Sequence, residues 1–185
     1  MKTDLNMRGV VFFALLAAII SLLYSSTVHA PFNFDDEVVI KFEVAQKTTG
    51  DLYSNLYPPR YRHLFYSSLI FNYSKGKLNP FGYHLVNITL HIFTSIVIFF
   101  IAFFTAQKSL SLERKEALSI ASITTLLFSI NPIQSETVNY ISARATGMSS
   151  FFYLAALLSF VIGSFRKQKP SPRFLLYLLS LVCFL

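Results

Sequence analysis

The sequence predicts an all-α protein built from membrane-spanning helices. Of its 185 residues, 54% are hydrophobic and only 14% are charged, and the mean hydropathy is positive, a balance unusual for a soluble protein. Uncharged apolar stretches of about 20 residues, the length that crosses a bilayer as a helix, alternate with shorter polar or basic stretches. This pattern indicates a polytopic bundle of helices.

The apolar stretches predict four complete spans and a truncated fifth. The predicted ranges are 9–28, 83–104, 117–131, 148–165 and, for the truncated span, 174–185. Because the last run stops after about twelve apolar residues, short of the ~20 that a span needs, we expect residues 1–185 to be part of one transmembrane domain in a longer protein. A cleavable signal peptide is the alternative for the first range, but its apolar core is longer than such peptides typically have.

The positions of Lys and Arg predict the orientation of the spans. The basic stretch RKQKPSPR at 166–173, the mixed loop at 108–116 and the N-terminus mark the cytoplasmic side of a bacterial inner membrane or an endoplasmic reticulum membrane. The loops at 29–82 and 132–147 then lie on the periplasmic or lumenal side, and we expect the long first loop to be ordered by short helices. Because the loops account for the basic excess, no nucleic-acid partner is predicted.

Both predicted outer loops carry acids beside a span. Asp35, Asp36 and Glu37 follow the first span, and Glu136 follows the third. One explanation for the triplet is helix capping, with Asp35 as the N-cap and the next two acids in the first helical turn. The other is a carboxylate site that meets a lipid-linked substrate at the membrane surface. The two explanations are compatible, and the residues alone leave both open.

Two arginines are candidates for binding a phosphate. Glu136, Tyr140 and Arg144 stand four residues apart, which predicts one face of a helix that starts near Ser135. A guanidinium suits bidentate contact with phosphate, whereas a bracing pair between Arg144 and Glu136 is the structural alternative. Arg62 lies among aromatic residues, a pattern that suits contacts with sugar and phosphate but equally suits an interfacial aromatic belt.

The second predicted span carries a polar stripe inside an apolar stretch. His84, Asn87 and His91 share one helical face at spacings of three and four residues. No acid or Cys stands near them at metal-ligand spacing, so hydrogen bonds between helices are favoured over a metal site.

Three stretches of the sequence resemble a known family. They are FNFDDEVVI at 32–40, YRHLFYSSLIFNYSKGKLNPFGYHLVNITLHI at 61–92, and LLFSINPIQSETVNYISARATGMSSFFYLAALL at 126–158. Together with the order of the spans, they resemble the GT-C type membrane glycosyltransferases, most closely the transmembrane-and-tetratricopeptide-repeat O-mannosyltransferase-like proteins and their bacterial relatives.

The resemblance implies a GT-C-like fold and an enzyme that transfers a sugar from a polyprenyl-phosphate carrier to a hydroxyl group of a protein or glycan acceptor, as in protein O-mannosylation, on the non-cytoplasmic face. By motif match, Asp35 and Asp36 lie at the reaction centre, and Glu136 supports them. The candidates for binding the substrate or its lipid phosphate are Arg62, Arg144, Glu37, Tyr140, His84 and Asn87.

The sequence also departs from the family pattern. Asn131 stands where the relatives usually have His before Pro132, and Gln134 and Thr146 replace a second His and a frequent acid. No cofactor is predicted, and a divalent metal stays open. Helical repeats of the tetratricopeptide type are expected beyond residue 185, and the present chain alone is not expected to be active. The alternative from another class is a non-enzymatic membrane scaffold or transporter whose outer acids bind ions or cap helices.

Overall fold

The computed structural model describes residues 2–44 and 62–165, and within these ranges every regular element is helical, as the sequence predicts. The principal helices are α1 (Lys2–Leu23), α2 (Asp35–Glu37), α3 (His63–Gly76), α4 (Phe81–Phe104), α5 (Arg114–Ser129), α6 (Ser135–Asn139) and α7 (Arg144–Phe165). α2 continues as a π-helical stretch, Val38–Val44, and short 3₁₀ or π turns occupy Thr27–His29, Thr105–Ser109 and Pro132–Gln134.

α4 is the central helix of the bundle. It packs most extensively against α5 and α7, and it also contacts α1, α3 and α6. One face of α4 is buried and carries mainly polar residues, namely His84, Asn87, His91, Thr94 and Ser95. Phe93, on the opposite side of the helix, is exposed. Because polar groups in apolar surroundings need partners, this arrangement turns the polar face of α4 toward protein.

Two helices are long and apolar enough to cross a membrane. They are Phe81–Ser109 and Arg144–Ser164, of 29 and 21 residues. They coincide with the predicted second and fourth spans. Arg114–Ser129 and Pro132–Asn139 form a pair bent by 53°, which adds a third span if the pair is taken as one. The chain is thus an integral membrane protein with two or three candidate spans among the residues that the structure describes.

The prediction of four complete spans and a truncated fifth is therefore not confirmed. α1 ends at Leu23 rather than near Val28, and its apolar part, Gly9–Leu23, is shorter than the ~20 residues of a span. The Ser25 hydroxyl donates to the Leu22 carbonyl at 2.7 Å, and the backbone turns there. α5 ends at Ser129 before the Asn-Pro sequence. The predicted fifth span, 174–185, lies outside the described residues.

The polar stripe of α4 forms hydrogen bonds with other elements. His84 Nε2 lies 3.2 Å from the Ala30 carbonyl oxygen, and His91 Nε2 lies 3.2 Å from the Ser129 carbonyl oxygen. The Ser129 hydroxyl donates to Ser95 Oγ at 2.9 Å, which joins α5 to α4 inside the bundle. Hydrogen bonding between elements, the favoured interpretation of the stripe, is therefore what the structure shows.

α7 packs closely against α4 and α6 at a glycine. A β-carbon added to Gly147 would lie 3.1 Å from Leu90 Cδ2 and 3.3 Å from Thr137 Cγ2, so a larger side chain requires the neighbours to move. Gly9 in α1, in contrast, has nothing within 4 Å of such a carbon.

We expect Gly147→Val to lower the free energy of unfolding by about 1–3 kcal/mol, because its branched side chain overpacks this contact. The matched control Gly9→Val should leave stability within about 0.5 kcal/mol of the parent. Thermal unfolding of the detergent-solubilised protein, followed by size-exclusion chromatography, measures both. Equal midpoints for the two variants would contradict the close contact.

Candidate active site

A cleft of about 860 Å³ brings together residues from both acidic segments. Four of the predicted site residues line it, namely Asp35, Arg62, Glu136 and Tyr140. The other lining residues are Phe34, Val38, Val39, Phe65, Tyr66, Ser135, Asn139, Ser142, Ala143 and Thr146. The first acidic segment and the second, about 100 residues apart in the sequence, thus both line one polar cleft.

Asp35 and Asp36 point in different directions. Successive side chains on a helix are separated by about 100°, and α2 begins with these two residues. Asp35 is exposed and lines the cleft, whereas Asp36 is only 2% exposed. Phe34 occupies the N-cap position and no side chain caps the helix, so Asp35 is not the N-cap that the capping explanation requires.

The Asp36 carboxylate holds the second segment against the first. Its two oxygens accept hydrogen bonds from the backbone N–H groups of Ile141 at 3.2 Å and Ser142 at 2.6 Å. Hydrogen bonds from N–H groups to an ionised carboxylate are stronger than neutral ones. Asp36 therefore fixes the turn that follows Tyr140, and both oxygens are already engaged by protein.

Glu37 lies apart from the cleft lining. Its carboxylate accepts a hydrogen bond from Lys41 Nζ at 2.8 Å, one helical turn further on, and both side chains are exposed. An exposed pair of this kind contributes little to stability. The structure thus gives the three consecutive acids three different surroundings, and only Asp35 faces the cleft.

Phe34 is an exposed aromatic residue in an unfavourable backbone conformation. Its φ and ψ are 48° and −118°, and the Asp36 N–H donates to the Asn33 carbonyl at 3.0 Å, so residues 33–36 form a type II′ turn. The second position of that turn favours glycine, and a non-glycine residue there stores strain of about 1–3 kcal/mol. The Phe34 ring is 81% exposed and lies 6.5 Å from the Tyr140 ring, centroid to centroid.

The second segment is not one continuous helix. α6 ends at Asn139, Tyr140 has an extended backbone with ψ 128°, and α7 begins only at Arg144. The prediction that Glu136, Tyr140 and Arg144 share one helical face is therefore wrong, because the backbone leaves the helix at Tyr140. Glu136 is exposed on the cleft, while Arg144 turns into the protein.

Arg144 is fully buried and bound by neutral groups of two neighbouring helices. Its Nε donates to Asn87 Oδ1 at 2.8 Å, and its Nη1 donates to Ser68 Oγ and Asn72 Oδ1, each at 2.9 Å. Its Nη2 donates to the Tyr83 carbonyl at 2.9 Å. These contacts, rather than a pair with Glu136, surround the guanidinium. Phosphate binding by Arg144 stays a prediction, and in this conformation it presents no surface to a ligand.

Asn87 links Arg144 to the second segment. While its Oδ1 accepts from Arg144, its Nδ2 donates to the carbonyls of Val138 at 3.3 Å and Tyr140 at 2.9 Å. His84, its neighbour on the stripe, is also buried. Asn87 and His84 contact other parts of the protein, and neither lines the cleft. Direct substrate binding by Asn87 and His84 stays a prediction.

Four residues of this region were not predicted from the sequence: Ser68, Asn72, Tyr83 and Phe34. Ser68 and Asn72 hold Arg144 with their side chains, and their signal was the presence of polar groups in the apolar run before α4. Tyr83 holds Arg144 with its backbone carbonyl, which gives no signal in the sequence. Phe34 gave no signal, since its importance comes from its backbone angles and exposure.

The described cleft residues include two carboxylates, Asp35 and Glu136. In the part of the chain that the structure describes, no group of three or more His, Cys, Asp or Glu side chains is arranged so that it could hold a metal ion. A site with one or two carboxylates plus substrate phosphates is the type that Mg²⁺ uses. A divalent metal at the cleft therefore stays a prediction.

The chain is similar to several curated proteins that are named protein O-mannosyl-transferases. The chain is 35% identical to the protein O-mannosyl-transferase TMTC3 of Homo sapiens over 100 residues, which is 54% of this chain and 10% of that protein. It is 34% identical to human TMTC1 over 129 residues, 65% of this chain and 14% of the relative. The predicted resemblance is confirmed. Mouse protein O-mannosyl-transferase TMTC4 is 30% identical over 165 residues, 79% of this chain and 22% of the relative.

The chain thus spans between 10 and 22% of the length of these TMTC proteins. No family model matches it, and no solved structure is significantly similar.

We expect Arg144→Met to lower the free energy of unfolding by about 3–5 kcal/mol, because the buried oxygens of its four partners lose their donor. Arg144→Lys should recover only part of this loss, since an ammonium on a thinner stem cannot reach all four acceptors in the guanidinium geometry. Thermal unfolding in detergent compares the variants. If Arg144→Lys were as stable as the parent, the positive charge alone would account for the stabilisation. That result would contradict a role for the four guanidinium hydrogen bonds.

Proposed function

We propose that the chain forms the catalytic cleft of a membrane glycosyltransferase that moves a mannose unit from a polyprenyl phosphate to a hydroxyl group of an acceptor protein. The observation that carries the proposal is the convergence of Asp35 and Glu136 in one cleft. The similarity to protein O-mannosyl-transferases supplies the reaction class.

Asp35 is the proposed general base. Its exposed carboxylate takes the proton of the acceptor hydroxyl, whose oxygen forms a bond to the anomeric carbon of the sugar. The bond between that carbon and the phosphate oxygen breaks at the same time, and the polyprenyl phosphate leaves with the electron pair. Asp36 positions the neighbouring turn, since both of its oxygens already accept backbone hydrogen bonds.

Arg62 and Glu136 have complementary proposed roles at the cleft. Arg62 is exposed at the start of α3, where its guanidinium can pair with the carrier phosphate in a bidentate manner. Glu136 and Tyr140 stand on the second segment and can accept or donate hydrogen bonds to sugar and acceptor hydroxyls. The phosphate of the leaving carrier thereby stays near a positive charge.

The proposed cleft belongs to the non-cytoplasmic face. It lies where α5 ends and α7 begins, at the end of the bundle opposite the 105–113 connection. Lys108, Arg114 and Lys115 are exposed at that other end, and basic residues in short loops mark the cytoplasmic side.

A non-enzymatic scaffold is the second candidate. The backbone hydrogen bonds of Asp36 and the Glu37–Lys41 pair favour it, because they give two of the three acids structural roles. It leaves the exposed Asp35 and Glu136 at one cleft without a role, however. Transfer of a sugar distinguishes the two candidates directly.

We expect Asp35→Asn to reduce mannose transfer by about 10²–10⁴-fold, because the amide cannot accept the hydroxyl proton. Stability should stay at the parent value, since the Asp35 side chain is exposed. The assay measures radiolabelled mannose that passes from polyprenyl-phosphate mannose to protein in membranes containing the protein expressed from its complete reading frame.

Two neighbouring acids provide the controls. Glu37→Gln should transfer mannose normally, because Glu37 lies outside the cleft lining. Asp36→Asn should lose stability as well as transfer, by about 1–3 kcal/mol, because one of two backbone N–H groups then faces a donor. Full transfer by Asp35→Asn would rule out the proposed base, and no transfer by the parent would favour the scaffold.

A further inference from the structure

The wall of the cleft beside Asp35 carries two aromatic rings. Phe34 and Tyr140 both line the cleft, with their ring centroids 6.5 Å apart and their planes inclined by 43°. Single exposed apolar residues are ordinary on protein surfaces. This pair is different because one ring comes from each acidic segment and both stand beside the exposed carboxylates Asp35 and Glu136.

The backbone at Phe34 is held by its neighbours. Its φ of 48° lies in the region that favours glycine, and the turn around it is closed by the hydrogen bond from Asp36 to Asn33. Asp36 is in turn tied through its side chain to Ile141 and Ser142. The backbone therefore cannot relax alone, and it presents the exposed Phe34 side chain at the lining of the cleft. Strained backbone that the surroundings maintain is a feature of ligand-binding sites.

The combination suits a sugar ring. A hexose presents a face of C–H groups, which pack on aromatic rings, and an edge of hydroxyl groups, which hydrogen-bond to carboxylates. Binding sites for small molecules typically combine apolar or aromatic walls with a few polar groups that fix orientation. Phe34 and Tyr140 provide the wall, while Asp35 and Glu136 provide the polar groups.

We propose that Phe34, together with Tyr140, contacts the C–H face of the donor's sugar and is a sugar-binding residue of the cleft. This inference deepens and rests on the proposed function. It assigns Phe34 to binding and gives it no part in proton transfer. The competing role for an exposed Phe, insertion into the membrane surface, needs bulk and hydrophobicity but no flat face.

The first test separates the flat ring from hydrophobic bulk. The probe is a two-isoprene phosphomannose, and its dissociation constant is measured without acceptor on the protein expressed from its complete reading frame, in nanodiscs. Phe34→Leu should weaken binding roughly five- to tenfold, the size of one aromatic contact, whereas Phe34→Tyr should stay within about twofold. Equal binding by Phe34→Leu and the parent would overturn the proposal.

The second test removes the strain and the ring together. Lys77 has the same turn geometry, with φ 52° and ψ −121°, and its turn is closed by the Asn79 N–H and the Gly76 carbonyl at 2.9 Å. Lys77 is not among the residues that line the cleft. Phe34→Gly and Lys77→Gly should both preserve or raise the thermal midpoint, because glycine relieves each turn. Only Phe34→Gly should lose probe binding.

The outcomes also separate this inference from the proposed function. Retained binding by Phe34→Gly, or equal loss in Lys77→Gly, would overturn the role of the ring. Phe34-dependent binding in a protein that transfers no mannose would overturn the enzymatic proposal and leave the sugar contact standing. Mannose transfer by the parent, with unchanged binding in Phe34→Leu, would overturn the sugar contact alone.

Discussion

The buried guanidinium of Arg144 is the interaction on which the arrangement of the helices depends. Moving a charge out of water is costly, and the cost is offset only if the donors find acceptors in good geometry. Ser68 and Asn72 of α3 and Tyr83 and Asn87 of α4 supply them, at 2.8–2.9 Å. Since Arg144 is the first residue of α7, its contacts fix where that helix begins relative to two others.

The turn between α6 and α7 is held from both sides. Asp36 binds the backbone of Ile141 and Ser142, and Asn87 binds the carbonyl of Tyr140. Asp36 also interacts electrostatically with Arg144, so the carboxylate offsets part of the buried positive charge. The connection between α6 and α7 lines the cleft and has no regular secondary structure. Hydrogen bonds to the Asp36 carboxylate nevertheless fix it, which is what a preorganised site requires.

The sequence predicted the helices that follow from long apolar stretches. It did not predict which way individual side chains point or where the backbone leaves a helix. α4 and α7 could be predicted because a long uncharged apolar stretch specifies a membrane-spanning helix independently of the helices that pack against it. Residue patterns also located the two acidic segments that share the cleft. They did not distinguish Asp35 from Asp36, because helix rotation and distant backbone N–H groups decide which of two adjacent acids is buried. The prediction of a continuous helix after Ser135 was wrong for the same kind of reason. The backbone is extended at Tyr140, where the Tyr140 carbonyl accepts a hydrogen bond from the distant Asn87.

The consecutive acids after α1 have different surroundings, and this difference supports the proposed role of Asp35. An exposed base is useful only if its backbone is fixed, and a fixed backbone at a membrane surface needs strong hydrogen bonds. The buried Asp36 supplies them one residue away from Asp35, so rigidity and exposure arise from neighbouring positions. The backbone N–H of the same Asp36 closes the turn in which Phe34 has a positive φ. The strained turn at Phe34 therefore leads directly into the pair of acids of which one is anchored inward and the other faces the cleft.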